Sequence, residues 1–209
     1  MMSTDLLEDI RDGIRLTLAR FSRDKYHQMI YDGILHDGDS LELIEGTILY
    51  KDRRDTGSTM THGGRHLKSL NKLVAILSQW VADRAVFLQV QGSLALNPQS
   101  EPEPDCCLIA GTPDDFGDEV PSGSKALAVF EVSDSSLAFD RGTKQRLYSE
   151  AEISVYVIVN LKEKNIEVYS QPVPDKSQYN QSMEFHLDQF CEVSIGDVGT
   201  LAFHSQEVF

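Results

Sequence analysis

Cysteine is scarce in this chain. Cys106, Cys107 and Cys191 are the only three, two of them adjacent, and no CxxC occurs. That count and spacing exclude a disulfide framework and a zinc ribbon, and a reducing cytoplasm is the expected compartment. Long apolar runs are also missing. None approaches the roughly 18 residues that a membrane-spanning helix needs. The opening MMSTDLLEDIRDGIRLTLARF is charged throughout and lacks the apolar core of a signal peptide, so no membrane partner is expected. Basic residues are outnumbered: 19 Lys and Arg against 33 Asp and Glu leave a net charge of −14. This argues against coating nucleic acid through bulk charge, but not against gripping it with a local patch. Other signatures are absent too. No Gly-Lys-Ser/Thr follows Gly63-Gly64, so there is no phosphate loop. No GxSxG surrounds Ser133, Ser135 or Ser136, which disfavours a serine hydrolase. His62 and His66 stand four apart, but no third ligand pattern and no HExxH supports zinc.

With 209 residues, the chain suits one α/β domain, or a domain carrying an arm. The charge is unevenly spread. Residues 1–90 hold 12 basic and 13 acidic side chains, and residues 91–209 hold 7 and 20. A polyanion-facing surface therefore has to draw on the first half. Arg53 and Arg54, or Arg65, Lys68 and Lys72 at helical spacing, are the candidates; the plainer reading is a solvated helix face.

The hydrophobic period changes along the chain. Residues 3–20 read as a helix, here taken as an N-terminal arm (residues 1–20) preceding a domain over 21–209. A second helix follows Ser22 and ends by Gly33. SLELIEGTILY reads as a hairpin, and DRRDTGSTMTHGG as a polar loop. From 62 to 83, Leu67, Leu70, Val74, Leu77 and Val81 mark an amphipathic helix. Strands are expected near 86–96, 105–110, 126–133 and 155–160, with a helix near 140–151. NIEVYS reads as a further strand, QPVPDKSQYNQ as a loop, and the tail as more strands. The order strand–helix–strand after residue 126 favours an α/β fold with a mixed central sheet and helices on its faces.

Three pieces can carry chemistry. Glu103-Pro104-Asp105 directly precedes an apolar strand, and proline suits a strand start. Glu131 nearly closes ALAVFEVS, on one face with Val129 and Ser133. A carboxylate there is costly if buried alone, so it needs a cation or a strong hydrogen-bond donor. Asp140, Lys144 and Tyr148, spaced by four, form one helical stripe, and SDSSLAF is short enough to fold that stripe back over Glu131. Two carboxylates and a lysine so arranged can build a Mg²⁺ site, since Mg²⁺ takes one or two protein carboxylates and keeps its waters. Each has a plainer alternative: Asp105 a turn residue, Glu131 a salt-bridged strand end, Lys144 an exposed helix lysine. If Lys144 carries the chemistry, its replacement by alanine is expected to abolish activity while changing stability by no more than about 0.5 kcal/mol, as for an exposed helix lysine.

The ordered set of Tyr26, LELIEG at 41–46, His62, EPD at 103–105, EVSDSS at 131–136 and the Asp140, Lys144, Tyr148 ladder resembles the PD-(D/E)xK nuclease superfamily. More narrowly, it is similar to the Uma-two type of restriction-endonuclease-like proteins, over roughly residues 20–170. The resemblance implies a restriction-endonuclease-like fold with a four-stranded mixed core sheet, an Mg²⁺ or Mn²⁺ cofactor and hydrolysis of DNA. It implies Asp105 and Glu131 as metal ligands. The lysine expected two residues after Glu131 is replaced by Ser133, and its role passes to Lys144. Glu42 matches an additional acidic position near the metal. His62 matches a helix-start histidine, read as a phosphate contact or proton shuttle, or else as a helix cap. A DNA substrate implies a homodimer, one site for each strand. The competing class is a non-catalytic nucleic-acid-binding or assembly protein that keeps the fold, which the acidic second half favours.

Overall fold

A six-stranded mixed sheet with helices on both faces forms the centre of the computed structural model, which describes residues 19–36, 40–51 and 63–209. The expected arm lies outside the described residues except for its last two positions; His62, Arg53 and Arg54 lie outside them as well.

Helix α1 (Arg23–Tyr31) starts at Ser22, whose hydroxyl accepts from the Lys25 amide, an ordinary N-cap. A tight hairpin follows, β1 (Leu41–Ile44) and β2 (Thr47–Tyr50). Its turn residues Glu45 and Gly46 have φ of 49° and 76°, the primed-turn geometry that matches strand twist. Gly46 is required twice over, because a Cβ there would stand 2.5 Å from the Arg20 Cβ. Helix α2 (Gly64–Val81) buries Leu70, Leu73, Leu77 and Trp80; of the expected stripe Leu70 and Leu77 are buried, Val74 and Val81 are partly buried and Leu67 is exposed, because the buried face centres on Leu73 and Trp80 instead.

The sheet order is β3 (Val86–Val90), β4 (Cys106–Ala110), β5 (Ala126–Ser133), β6 (Val155–Asn160), β7 (Asn165–Val173), β8 (Gln178–His186). Only β5 and β6 are parallel. A parallel pair needs a crossover. It is supplied by α3 (Leu137–Phe139), a π-helical turn (Asp140–Lys144) and α4 (Gln145–Glu150), which run on as one helix. A separate hairpin, β9 (Phe190–Ile195) and β10 (Gly199–His204), covers part of one sheet face.

Alternation along β5 divides the core. Ala128, Phe130 and Val132 face α2 and the β9–β10 hairpin, while Val129 faces the crossover helix with Tyr148, Tyr156 and Ile158. Glu131 therefore lies on the crossover side, in the middle of the sheet.

Three expectations need correction. The core sheet has six strands rather than four, because β7 and β8 extend it. The strand expected over 86–96 ends at Val90, since Gln91 has φ 48° and turns the chain away. QPVPDKSQYNQ is mostly strand: Pro172 pairs with Tyr179, and only Pro174–Lys176 form a turn. β8 is an edge strand exposed over most of its length, so its polar composition disguised it. The three cysteines are free and buried.

Leu73 is fully buried between α2 and the sheet. Leu73→Ala should cost about 2–5 kcal/mol of unfolding free energy, as buried leucine truncations do. A urea denaturation midpoint unchanged from the parent would contradict this packing.

Candidate active site

Four segments converge where β4 begins. The hairpin is pinned to the chain before β4 by a two-bond bridge, Leu43 N–H to Glu101 O at 3.2 Å and Glu101 N–H to Leu43 O at 2.7 Å. Helix α1 fastens to the same segment, with Arg23 Nε 2.7 Å and His27 Nε2 2.9 Å from the buried Glu101 carboxylate. This fixes Glu42 next to residues 103–105, and the Glu103 amide donates to Glu42 Oε2 at 3.4 Å.

Asp105 and Glu131 interlock across β4 and β5. The Asp105 amide donates to Glu131 Oε2 at 3.3 Å, and the Val132 amide donates to Asp105 Oδ2 at 2.9 Å. Both side chains are almost fully buried. Lys144 reaches in from the crossover helix, its Nζ 2.8 Å from Glu131 Oε1 and 3.2 Å from Glu42 Oε2. The Tyr148 hydroxyl donates to the same Glu131 oxygen at 2.9 Å. Burial raises the Glu131 pKa, only partly offset by Lys144, with Asp105 and Asp140 adding to the rise. Burial alone would lower the Lys144 pKa, but Glu131, Glu42 and Asp140 together hold it above its ordinary value.

The π-helical turn helps to aim this stripe. In a regular α-helix, positions four apart drift by about 40° per step. The wider turn over 140–144 removes part of that drift, and such turns recur at functional sites. Its first residue is anchored: Ser133 Oγ and Ser136 Oγ each donate to Asp140 Oδ2 at 2.6 Å. Ser133, which stands at the position expected to hold lysine, thus ties down the helix that carries Lys144. Arg141 and Arg146 point elsewhere, to Glu163 and Glu167, and to Glu45 and Glu150.

The structure brings Asp105, Glu131, Lys144 and Glu42 together; His62 lies outside the described residues. Two further groups were missed. His66 Nε2 is 3.1 Å from Asp105 Oδ2, and Lys51 Nζ is 3.3 Å from Asp105 Oδ1. Burial opposes ionisation of Asp105, yet His66, Lys51 and the Val132 amide hold its carboxyl below the usual carboxylate range. A signal for Lys51 existed in the hairpin. With the turn at Glu45-Gly46, Glu42 faces Leu49, and Lys51 continues the Leu49 side two residues on. For His66 the signal in the sequence was its place four residues after His62. The basic candidates Arg65, Lys68 and Lys72 turn to other partners, Asp134 for Arg65 and the Phe209 main-chain oxygen for both lysines.

The donor set suits a hard cation. Asp105 Oδ1 is buried without a hydrogen-bond donor, and Glu131 Oε2 accepts only one long bond, so both keep lone pairs. Among the described residues no three His, Cys, Asp or Glu side chains close into a metal cluster. Two carboxylates with water nevertheless match what Mg²⁺ ordinarily takes from a protein.

Fold and site together define a restriction-endonuclease-like α/β protein. A family model described as "Uma2: Putative restriction endonuclease" matches residues 23–194, and the chain belongs to this family. Among solved structures it is similar to a crystal structure of a "putative nuclease belonging to DUF820" from Anabaena variabilis, at 14% identity and TM-score 0.65, covering 90% of this chain and 97% of that one. No curated protein matches.

Lys144 is buried, 3% exposed, so the exposed-lysine expectation fails, and with it the expectation that its replacement is harmless to folding. Lys144→Met should cost about 3–5 kcal/mol, because it strands buried carboxylates. Glu131→Gln with Lys144→Met should cost less than the sum of the single changes in urea denaturation. Strict additivity would show that the two do not interact.

Proposed function

We propose that the protein is a divalent-metal-dependent endonuclease that hydrolyses DNA phosphodiester bonds. The observation carrying this reading is a buried Lys144 held between Glu131 and Glu42, with Glu131 in turn interlocked with Asp105, whose Oδ1 has no hydrogen-bond donor. Buried charges are costly, and a purely structural role does not require two interlocked carboxylates with a lysine. Family membership supports nuclease activity.

In this mechanism Asp105 and Glu131 hold Mg²⁺ or Mn²⁺, with Glu42 alongside. When bound, the ion lowers the pKa of a coordinated water and neutralises phosphate charge. Lys144 keeps its proton at Nζ and presents a fixed positive charge to the attacking water and the phosphate oxygens. Tyr148 holds the Glu131 carboxylate in place through its hydroxyl. His66 orients Asp105 from the α2 side. His62 keeps its assignment as a phosphate contact or proton shuttle. The free, buried thiols support a cytoplasmic setting; among the described residues no helix is long and apolar enough to cross a membrane.

The second reading, a non-catalytic binding or assembly protein, is favoured by the 7 basic against 20 acidic residues of 91–209. Plasmid nicking separates the two. The parent should cut with Mg²⁺ or Mn²⁺ and stop with EDTA. Asp105→Asn, Glu131→Gln and Lys144→Arg should each lose at least about 100-fold in rate, the scale of a lost electrostatic contact to the transition state. Circular dichroism of each variant checks its fold. A parent inert on duplex, branched and single-stranded substrates would establish the binding reading instead.

Duplex cleavage also favours a homodimer, because each strand needs its own site and two-fold dimers are the commonest closed assembly. Sedimentation should find twice the 23.4 kDa chain mass. A species of one chain mass at all concentrations would exclude it.

A further inference from the structure

The two lysines beside the carboxylates are held in different ways. Lys144 is fixed by a 2.8 Å hydrogen bond to Glu131 and a second contact to Glu42. Lys51 has no hydrogen bond: its Nζ is buried without an acceptor, and the Asp105 Oδ1 beside it is buried without a donor. The pair, 3.3 Å apart, is held by charge alone. Its charge reaches further than its contact: burial raises the pKa values of Glu103 and Glu131, and Lys51 opposes both rises. One ammonium thus sits where the fields of three carboxylates overlap, at the oxygen that has no other partner.

That arrangement leaves both atoms short of hydrogen bonds, which a buried ammonium and a buried carboxylate oxygen each resist. A displaced ammonium regains water as hydrogen-bond acceptor, and a hard cation at Oδ1 supplies the contact that oxygen lacks. The side chain can make that move. Lysine has a flexible four-carbon stem, and Lys51 lies just past the end of β2 rather than inside it.

We propose that Lys51 is a displaceable internal cation, occupying the position beside Asp105 Oδ1 in the metal-free protein and surrendering it to the divalent ion. It keeps the carboxylates folded into a cation-ready arrangement at the cost of competing with the ion. This rests on the metal-dependent reading above. The competition has a definite sign. Removing the Lys51 charge removes a repulsive neighbour from the bound ion, so metal binding tightens.

Titration calorimetry with Mn²⁺ alone tests this on the full chain, without nucleic acid. Lys51→Met should bind Mn²⁺ about tenfold more tightly than the parent, the scale of a unit-charge contact near 4 Å at a dielectric close to that of water, since the displaced ammonium is hydrated. Lys51→Gln should shift in the same direction, and Lys51→Arg should stay near the parent. A second readout is thermal. In EDTA the neutral variants should melt below the parent, and saturating Mn²⁺ should raise their melting temperature by more than it raises the parent's. Folded Lys51→Met and Lys51→Gln that bind Mn²⁺ no more tightly than the parent would overturn the exchange while leaving the metal reading intact. If neither the parent nor any variant binds Mn²⁺, the metal reading fails and the exchange fails with it.

Discussion

The buried contact between Lys144 and Glu131 is the constraint around which this protein is built. A carboxylate in the middle of a sheet, on the strand that makes the one parallel pairing, has to be matched by a cation from whatever covers that face. The covering element is the crossover that the parallel pairing itself requires. Topology and electrostatics therefore solve the same problem with one helix. Its first turn is clamped by two serine hydroxyls on Asp140, its π-helical turn aims the stripe at the sheet, and Tyr148 completes the shell around Glu131.

The other half of the site reaches the same point by a different route. Glu42 rides on a small hairpin whose position depends on two backbone hydrogen bonds to residue 101 and on the α1 side chains gripping Glu101. None of these contacts is chemical in purpose, yet they determine where the third carboxylate and Lys51 stand. The result is an inner set of basic side chains, Lys51, His66 and Lys144, inside a chain of strongly acidic balance.

Much of this was readable from local pattern. The hairpin at 40–50, the α2 stripe, the apolar β5 strand with Glu131 on one face, and the Asp140, Lys144, Tyr148 ladder all follow from periods of 2 and about 3.6, which a backbone imposes on any sequence. The Ser22 cap and the turn at Glu45-Gly46 follow from residues with strong backbone preferences. The family resemblance rested on those same segments. β8 escaped because its residues face solvent, so the alternation that marks a half-buried strand is missing.

Sequence alone determined most of the elements, and the resemblance carried by those segments singled out Asp105, Glu131, Glu42 and Lys144 as one set. Tertiary structure decided the rest: that Lys144 is buried rather than exposed, that His66 rather than a residue within the described α2 stripe of basic side chains touches Asp105, and that Lys51 stands at the open oxygen. The reason is range. Burial and partner choice join residues 39 apart for His66 and Asp105 and 26 apart for Asp105 and Glu131. Such contacts are set by how strands stack and which helix lies over them, and a local period carries no record of that.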